Sequence, residues 1–215
     1  MDNNTSAIFL PGEYYHIYNK TNNKEDLFVS NQNRLFFLDL ARSKLSGFVK
    51  ILAYSLLGNH FHFCVKIRSH VEVINFIKSL PDAKRSQRMM QFAENQDDVD
   101  LFDEIFYYLF SGVFNSYAQS FNKKESRKGN LFYKSFKRSL LESVDKIQYN
   151  IYYIHHNARR HNLVTDFRDH EWNSYLLITI LDDSIVNVNA VLAVFGDLSA
   201  FIEYHKRFLL PGDEL

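Results

Sequence analysis

Two runs of strand-forming residues, Phe48 to Leu57 and His60 to Ile67, are separated only by Gly58-Asn59. With so short a break, the simplest topology available to them is an antiparallel hairpin. The second run alternates strictly. In an extended strand, His60 and His62 share one face about 7 Å apart, while Phe61, Phe63 and Val65 take the other, where a core would want them. Imidazole is the commonest metal ligand, so a rigid pair of this kind can hold one divalent ion. Two ligands are an incomplete site, however, and two half-exposed strand histidines without a ligand would look the same.

The rest of the chain limits the possibilities. Its 215 residues suit one domain or one domain with appendages, and 46% hydrophobic with 23% charged residues is ordinary for a globular protein. The aromatic content is not ordinary: 20 Phe and 13 Tyr stand beside 7 Gly and 3 Pro. Most of these rings belong in a core, and exposed ones are suited to stacking on unpaired bases. No apolar stretch is long enough to span a membrane, and Met1-Asp2-Asn3-Asn4-Thr5 lacks the features of a secretory signal. Cys64 is the only cysteine, which excludes an internal disulfide and a cysteine-based zinc cluster. These features predict a cytoplasmic protein.

Formal net charge is zero, which argues against binding duplex DNA through overall positive field. The charge is segregated, though. Residues 94–104 carry Glu94, Asp97, Asp98, Asp100, Asp103 and Glu104, a run that reads as a solvated face. Residues 123–138 carry Lys123, Lys124, Arg127, Lys128, Lys134, Lys137 and Arg138 against Glu125 alone, and they enclose Leu131, Phe132, Tyr133 and Phe136. Aromatics within a cationic stretch suit contact with both phosphates and bases.

Periodicity predicts a first strand at Tyr14–Tyr18 and a helix from Asn31 to Ser46, stopped at Gly47. A further helix runs from near Val71 to before Pro81, then a polar, aperiodic and mobile insertion covers 82–100. A helix follows from Asp103 to Phe121, a loop over 122–130 and a strand around Phe136–Leu141. Ser143 is an N-cap with Asp145 in the first turn, for a helix running to about His161 with Asn162 as its stop. After about residue 170 an extension surrounds Trp172 and closes with a helical segment from Val188 to Phe208. This order predicts an α+β fold, an antiparallel sheet with helices packed on it.

On the helix from Val144, Ile147, Ile151, Ile154 and Ala158 form the buried stripe. Tyr149, Tyr153 and Asn157 lie four apart along a neighbouring line, and Tyr152 and His156 form a rival line. An Asn157 amide oxygen is suited to be a third ligand beside the two strand histidines, with Tyr153 as a nucleophile next to a metal-bound phosphate. The competing reading is that these tyrosines pack at the core edge.

Tyr153-Ile154-His155-His156-Asn157-Ala158-Arg159-Arg160-His161 resembles the Y-I-H-x-N-P-x-x-H signature of the REP-associated tyrosine transposases, single-tyrosine HUH transposases of insertion sequences. Tyr15-His16-Ile17-Tyr18-Asn19-Lys20 is similar to that family's Y-H-V-x-N-R strand, and Gly58-Asn59-His60-Phe61-His62-Phe63 to its N-H-x-H strand. Gly129-Asn130-Leu131-Phe132 through Phe136-Lys137-Arg138 resembles its G-x-L-F…F-K-R segment. Trp172-Asn173-Ser174-Tyr175 is similar to its W-S-S-Y. The matches are collinear over about residues 10–180, with Ala158 in place of the usual proline and Asn173 in place of a serine.

The resemblance implies a ferredoxin-like HUH nuclease domain over 1–180, with a helical insertion at about 71–122 and a helical extension over 181–215. It implies Tyr153 as nucleophile and His60, His62 and Asn157 as ligands of Mg2+ or Mn2+. The substrate would be single-stranded or hairpin DNA, cleaved and rejoined through a 5′-phosphotyrosine, by a homodimer or a monomer. A free phenol titrates near 10, so His155 or His156 is expected to help remove its proton. Lys134, Lys137, Arg138, Arg127 and Lys128 are the expected DNA contacts. Two other readings share these residues: an inactive, domesticated member that binds hairpin DNA as a regulator, and a metal-dependent hydrolase of small phosphoesters.

Overall fold

The computed structural model describes residues 6–22 and 25–207. Four strands, β1 (Tyr14–Lys20), β2 (Val49–Leu56), β3 (His60–Ile67) and β4 (Lys137–Leu140), form one sheet in the order β2-β3-β1-β4. Every neighbouring pair is antiparallel. The predicted β2–β3 hairpin is present and closes with the Leu57 amide donating to the His60 carbonyl at 2.9 Å. Parallel β1 and β2 flank β3 and are joined by α1 (Asn31–Leu45). This is the split β-α-β arrangement of ferredoxin-like folds.

One face of the sheet carries α1 and α4 (Val99–Lys124), which pack on each other. The odd-numbered β3 residues supply their contact. Phe61 lies 4.9 Å from Phe37 of α1 and 4.8 Å from Phe114 of α4, centroid to centroid. Here the alternation of β3 and the helical spacing of α4 converge, and the aromatic excess of the composition becomes core. The Tyr117 hydroxyl, buried in this layer, donates to the Leu27 carbonyl at 2.6 Å.

Between β3 and α4 the chain forms α2 (His70–Ser79) and α3 (Gln87–Glu94). The structure differs here from the expected aperiodic insertion at 82–100. Ser86 caps α3 by accepting from the Met89 amide, and Met89 and Phe92 are buried. Eight residues are too few to display a clear period, and a helix this short is marginal by itself, so tertiary burial of Met89 and Phe92 sustains it. Helix α4 also begins earlier than expected, at Val99, because the Asp98 carboxylate caps it.

The opposite face of the sheet receives α5 (Val144–Arg160), which packs on β2 and β3 through Ile147, Ile151, Ile154 and Ala158. Ser143 caps its start. At its end Asn162 takes φ +56°, the left-handed conformation in which the Leu163 amide reaches back to the Ala158 carbonyl at 2.9 Å. The segment around Trp172 then docks along β2: the Leu56 amide donates to Trp172 and the Ser174 amide to Tyr54. Beyond α6 (Tyr175–Thr179), the expected C-terminal helix is two helices, α7 (Val188–Phe195) and α8 (Leu198–Arg207). They break at Gly196, whose φ of +100° lies outside helical space. Phe208 and the stretch Met1–Thr5 lie outside the described residues. Among the described residues, no helix is long and apolar enough to cross a membrane.

Candidate active site

The register of the sheet determines which side chains face α5. Residues directly opposite each other on neighbouring strands point to the same face. His62 of β3 is opposite Ser55 of β2 and Tyr18 of β1, and Tyr18 is opposite Lys137 of β4. His60 is opposite Lys20. Two parallel rows therefore cross the sheet beneath α5, one through Ser55, His62, Tyr18 and Lys137, the other through His60 and Lys20.

Helix α5 closes over these rows. The Asn157 Oδ1 atom lies 3.2 Å from His60 Nε2, and His60 Nδ1 lies 2.7 Å from Asn59 Oδ1. A neutral imidazole has one N–H and therefore satisfies one of these two amide oxygens. Burial holds His60 below its ordinary pKa, against the opposing effect of Asn157, so the ring does not readily carry the second proton. One oxygen thus faces a ring lone pair across a gap that suits a cation. Two adjacent ligands of an octahedral ion at ~2.1 Å sit about 3 Å apart, in keeping with this spacing. The Asn157 Nδ2 atom is buried and has no hydrogen-bond partner among the described residues.

His62 sits beside His60 with ring centroids 5.3 Å apart. Its Nδ1 pairs with His16 Nε2 at 2.8 Å, which leaves Nε2 as the nitrogen available for a ligand. Burial, then the neighbouring rings of His16, His60 and His161, hold His62 well below its ordinary pKa. Burial takes His16 down to about 3. Both rings are therefore neutral at physiological pH, the state in which imidazole binds metal. Among the described residues no group of three or more His, Cys, Asp or Glu is arranged to hold an ion. The candidate set is instead mixed, two imidazoles and one carboxamide, with His16 orienting His62 from behind.

Tyr153 stands one turn before Asn157 on α5. Its ring is half-buried, edge-on to His62 at 5.7 Å and to His16 at 6.0 Å between centroids. The Arg160 guanidinium lies 5.4 Å from the centroid of the same ring. The fold thus chooses between the two lines left open on this helix. Tyr153 and Asn157 face the histidine pair, whereas Tyr152 and His156 face the C-terminal helices. His156 is sandwiched between Tyr152 at 4.1 Å and Phe167 at 3.8 Å.

No family model matches the sequence, and no curated protein does. A solved structure described as a REP-associated tyrosine transposase bound to a REP hairpin does match. It aligns with a TM-score of 0.53 over 87% of this chain and 90% of its own, at 14% identity. The fold is that of a REP-associated tyrosine transposase. At this identity the backbone is what the two share, and the roles of side chains in this transposase-like fold rest on the geometry just described.

The remaining sequence-based expectations sort by what each side chain touches. His155 is fully buried, its Nδ1 paired with His205 Nε2 and its Nε2 with Ser174 Oγ, each at 2.8 Å. Neither His155 nor His156 is therefore arranged to take a proton from Tyr153, because both belong to the packing between α5 and the extension. Lys128, Lys134 and Lys137 are exposed. The two arginines differ. Arg138 makes a bidentate pair with Asp103 at 2.8 and 3.1 Å and lies over Phe9. Arg127 pairs with Glu25 at 2.6 and 3.1 Å and donates to the Gly129 and Asn130 carbonyls. Their guanidiniums brace the chain, so the charge of these two expected DNA contacts is matched within the protein.

Two site residues escaped the sequence reading. His16 has a recognisable signal in retrospect, since Tyr14, His16 and Tyr18 alternate on one face of β1. His161, which follows the last residue of α5, lies 4.9 Å from His60 between ring centroids. The two substituted motif positions also have structural accounts. Asn173 donates to the Phe167 carbonyl at 2.8 Å and accepts from the Tyr175 amide at 2.9 Å. Ala158 is fully buried within a regular helix.

Proposed function

We propose that this protein cleaves and rejoins single-stranded DNA near hairpins through a covalent 5′-phosphotyrosine on Tyr153. The observation that carries this reading is the placement of the Tyr153 ring against His62, one helical turn from an Asn157 oxygen that faces His60 Nε2 at 3.2 Å. His60, His62 and Asn157 would hold Mg2+ or Mn2+, which supplies charge withdrawal from a bound scissile phosphate. The half-buried phenol of Tyr153 is held by α5 for in-line approach to that phosphate. Its oxygen forms the new ester as the bond from phosphorus to the 3′ oxygen breaks. The phenol proton is lost and the departing 3′ oxygen gains one, so charge and atoms balance. Attack by a 3′ hydroxyl on the phosphotyrosine reverses the step and restores the DNA without a nucleotide triphosphate. Lys134, Lys137 and Lys128 supply cationic contacts to the strand.

The test is incubation of the protein with labelled single-stranded hairpin DNA and Mg2+ or Mn2+, read as a covalent band on a denaturing gel. Wild type yields the band, Tyr153→Phe yields none, and His60→Ala loses the metal-dependent product. An adduct that persists in Tyr153→Phe would sink the nucleophile assignment. Hairpin binding without an adduct under any metal would instead favour a regulator that has lost catalysis.

A further inference from the structure

One phenol at the site has no part in the reaction described so far. Tyr18 of β1 lies directly opposite His62 of β3 on one side and Lys137 of β4 on the other, on the face of the sheet toward α5. Its ring stacks on His62 at 5.6 Å and on His16 at 4.7 Å between centroids, with interplanar angles of 24° and 27°. Tyr153 meets the same two imidazoles edge-on. The His16–His62 pair is thus touched by two tyrosines, one from the sheet and one from the helix. Each of these rings has a cation beside it. Lys137 Nζ lies 5.9 Å from the Tyr18 centroid, and the Arg160 guanidinium lies 5.4 Å from that of Tyr153.

A tyrosine that served only to pack against His62 would need its ring and not its hydroxyl. In the core of this protein, tyrosine hydroxyls are spent on the backbone: Tyr15 donates to the Ile8 carbonyl and Tyr117 to that of Leu27. Tyr18 is half-buried, and its hydroxyl has no hydrogen-bond partner among the described residues. Burial, then the neighbouring Tyr153 phenol, raises Tyr18 above its ordinary pKa, so at neutral pH it is a donor. Neighbouring strands are about 4.8 Å apart, so a phosphate beside His62 Nε2 is within reach of the Tyr18 side chain.

We infer that the Tyr18 hydroxyl is a second catalytic phenol, which donates a hydrogen bond to a non-bridging oxygen of the scissile phosphate while Tyr153 attacks phosphorus. Tyr18 keeps its proton throughout. As the Tyr153 oxygen adds and the bond to the 3′ oxygen breaks, the non-bridging oxygens carry the charge of the transition state. A fixed donor aimed at them counts for more there than in the ground state. Tyr18 occupies the position that the Y-H-V-x-N-R strand leaves unspecified, so the contact is a feature of this chain. The inference rests on the proposed function for the identity of the phosphate as the scissile one, but not for phosphate binding beside His62.

Two readouts on the same preparations separate these. Protein-bound Mn2+ broadens the phosphorus NMR line of inorganic phosphate held beside it, which reports phosphate affinity without turnover. Tyr18→Phe keeps the ring on His62 and removes only the hydroxyl. It should leave the melting temperature and Mn2+ affinity as in wild type, and require roughly 10-fold more phosphate for half-maximal broadening. In the hairpin assay it should form the covalent adduct about 100-fold more slowly. Unchanged phosphate affinity in Tyr18→Phe would overturn the contact, as would wild-type protein that gives no broadening. Loss of Mn2+ binding in Tyr18→Phe would do the same, by showing that the residue only supports His62. A wild type that makes no adduct, with phosphate binding that still depends on the Tyr18 hydroxyl, refutes the cleavage reading and leaves this contact standing.

Discussion

The use to which a guanidinium or imidazole is put depends on its neighbours. Arg138 and Lys137 are adjacent in sequence and face opposite sides of β4. Lys137 is exposed on the row that contains His62, whereas the Arg138 and Asp103 side chains are only 12% and 19% exposed and bonded to each other. Asp103 Oδ1 also accepts from the Phe9 amide at 2.7 Å. Asp103→Ala should therefore destabilise the protein by about 2 kcal/mol, through a partly buried cation and an amide left without their acceptor. Denaturant unfolding measures it, and an unchanged midpoint would contradict the bracing role. The same logic separates His62, which His16 orients toward the candidate metal position, from His155, which is spent on His205 and Ser174.

At the scale of elements, α5 is held from two sides. Its stripe of Ile147, Ile151, Ile154 and Ala158 sits on the sheet, and its other flank is joined to α8 by a chain of buried polar groups. His205 Nδ1 donates to the Phe201 carbonyl at 2.8 Å, so its Nε2 accepts from His155 Nδ1, and His155 Nε2 accepts from Ser174 Oγ. Every ring in this chain is neutral, and an added proton breaks a bond. Burial holds His205 down to about 4, below its ordinary value of about 6.5. The unfolded chain thus binds a proton that the folded chain refuses between those two values. Stability from this group is complete above pH of about 6.5 and declines as pH falls toward about 4. Thermal melts across that range should show the decline, and His205→Leu should make it shallower, the remainder coming from the other buried neutral rings, His16, His62 and His155. A wild-type melting temperature that does not move over this interval would refute the linkage.

The whole molecule brings together segments far apart in sequence on one face of one sheet: β1, β3, β4, the 129–136 loop and α5. With a net charge of zero, the proposed DNA binding would rest on the local field of that face. Lys134→Ala and Lys137→Ala should each weaken single-strand binding uniformly across sequences. Each should also reduce the slope of log affinity against log salt by about 0.7. Arg127→Lys, at a position whose charge is matched by Glu25, should leave that slope unchanged. Binding isotherms at several salt concentrations distinguish them, and equal slopes for all three variants would remove the lysines from the interface.

Much of this architecture was legible in the residues. The short Gly58-Asn59 break specified the hairpin partner, alternation in 60–67 the inward and outward faces, and the four-residue spacing on α5 which side chains share a line. Capping chemistry at Ser143 and Asn162 set the bounds of that helix, since these are local effects of backbone hydrogen bonding. What the sequence alone left open was whatever depends on register and packing between distant segments. Only tertiary structure made α3 a helix, joined His16 to His62, turned His155 away from Tyr153 and matched Arg138 with Asp103. Each of these is decided by which surfaces meet, and a one-residue shift in the pairing of β1 with β3 would have reversed the faces and abolished the site.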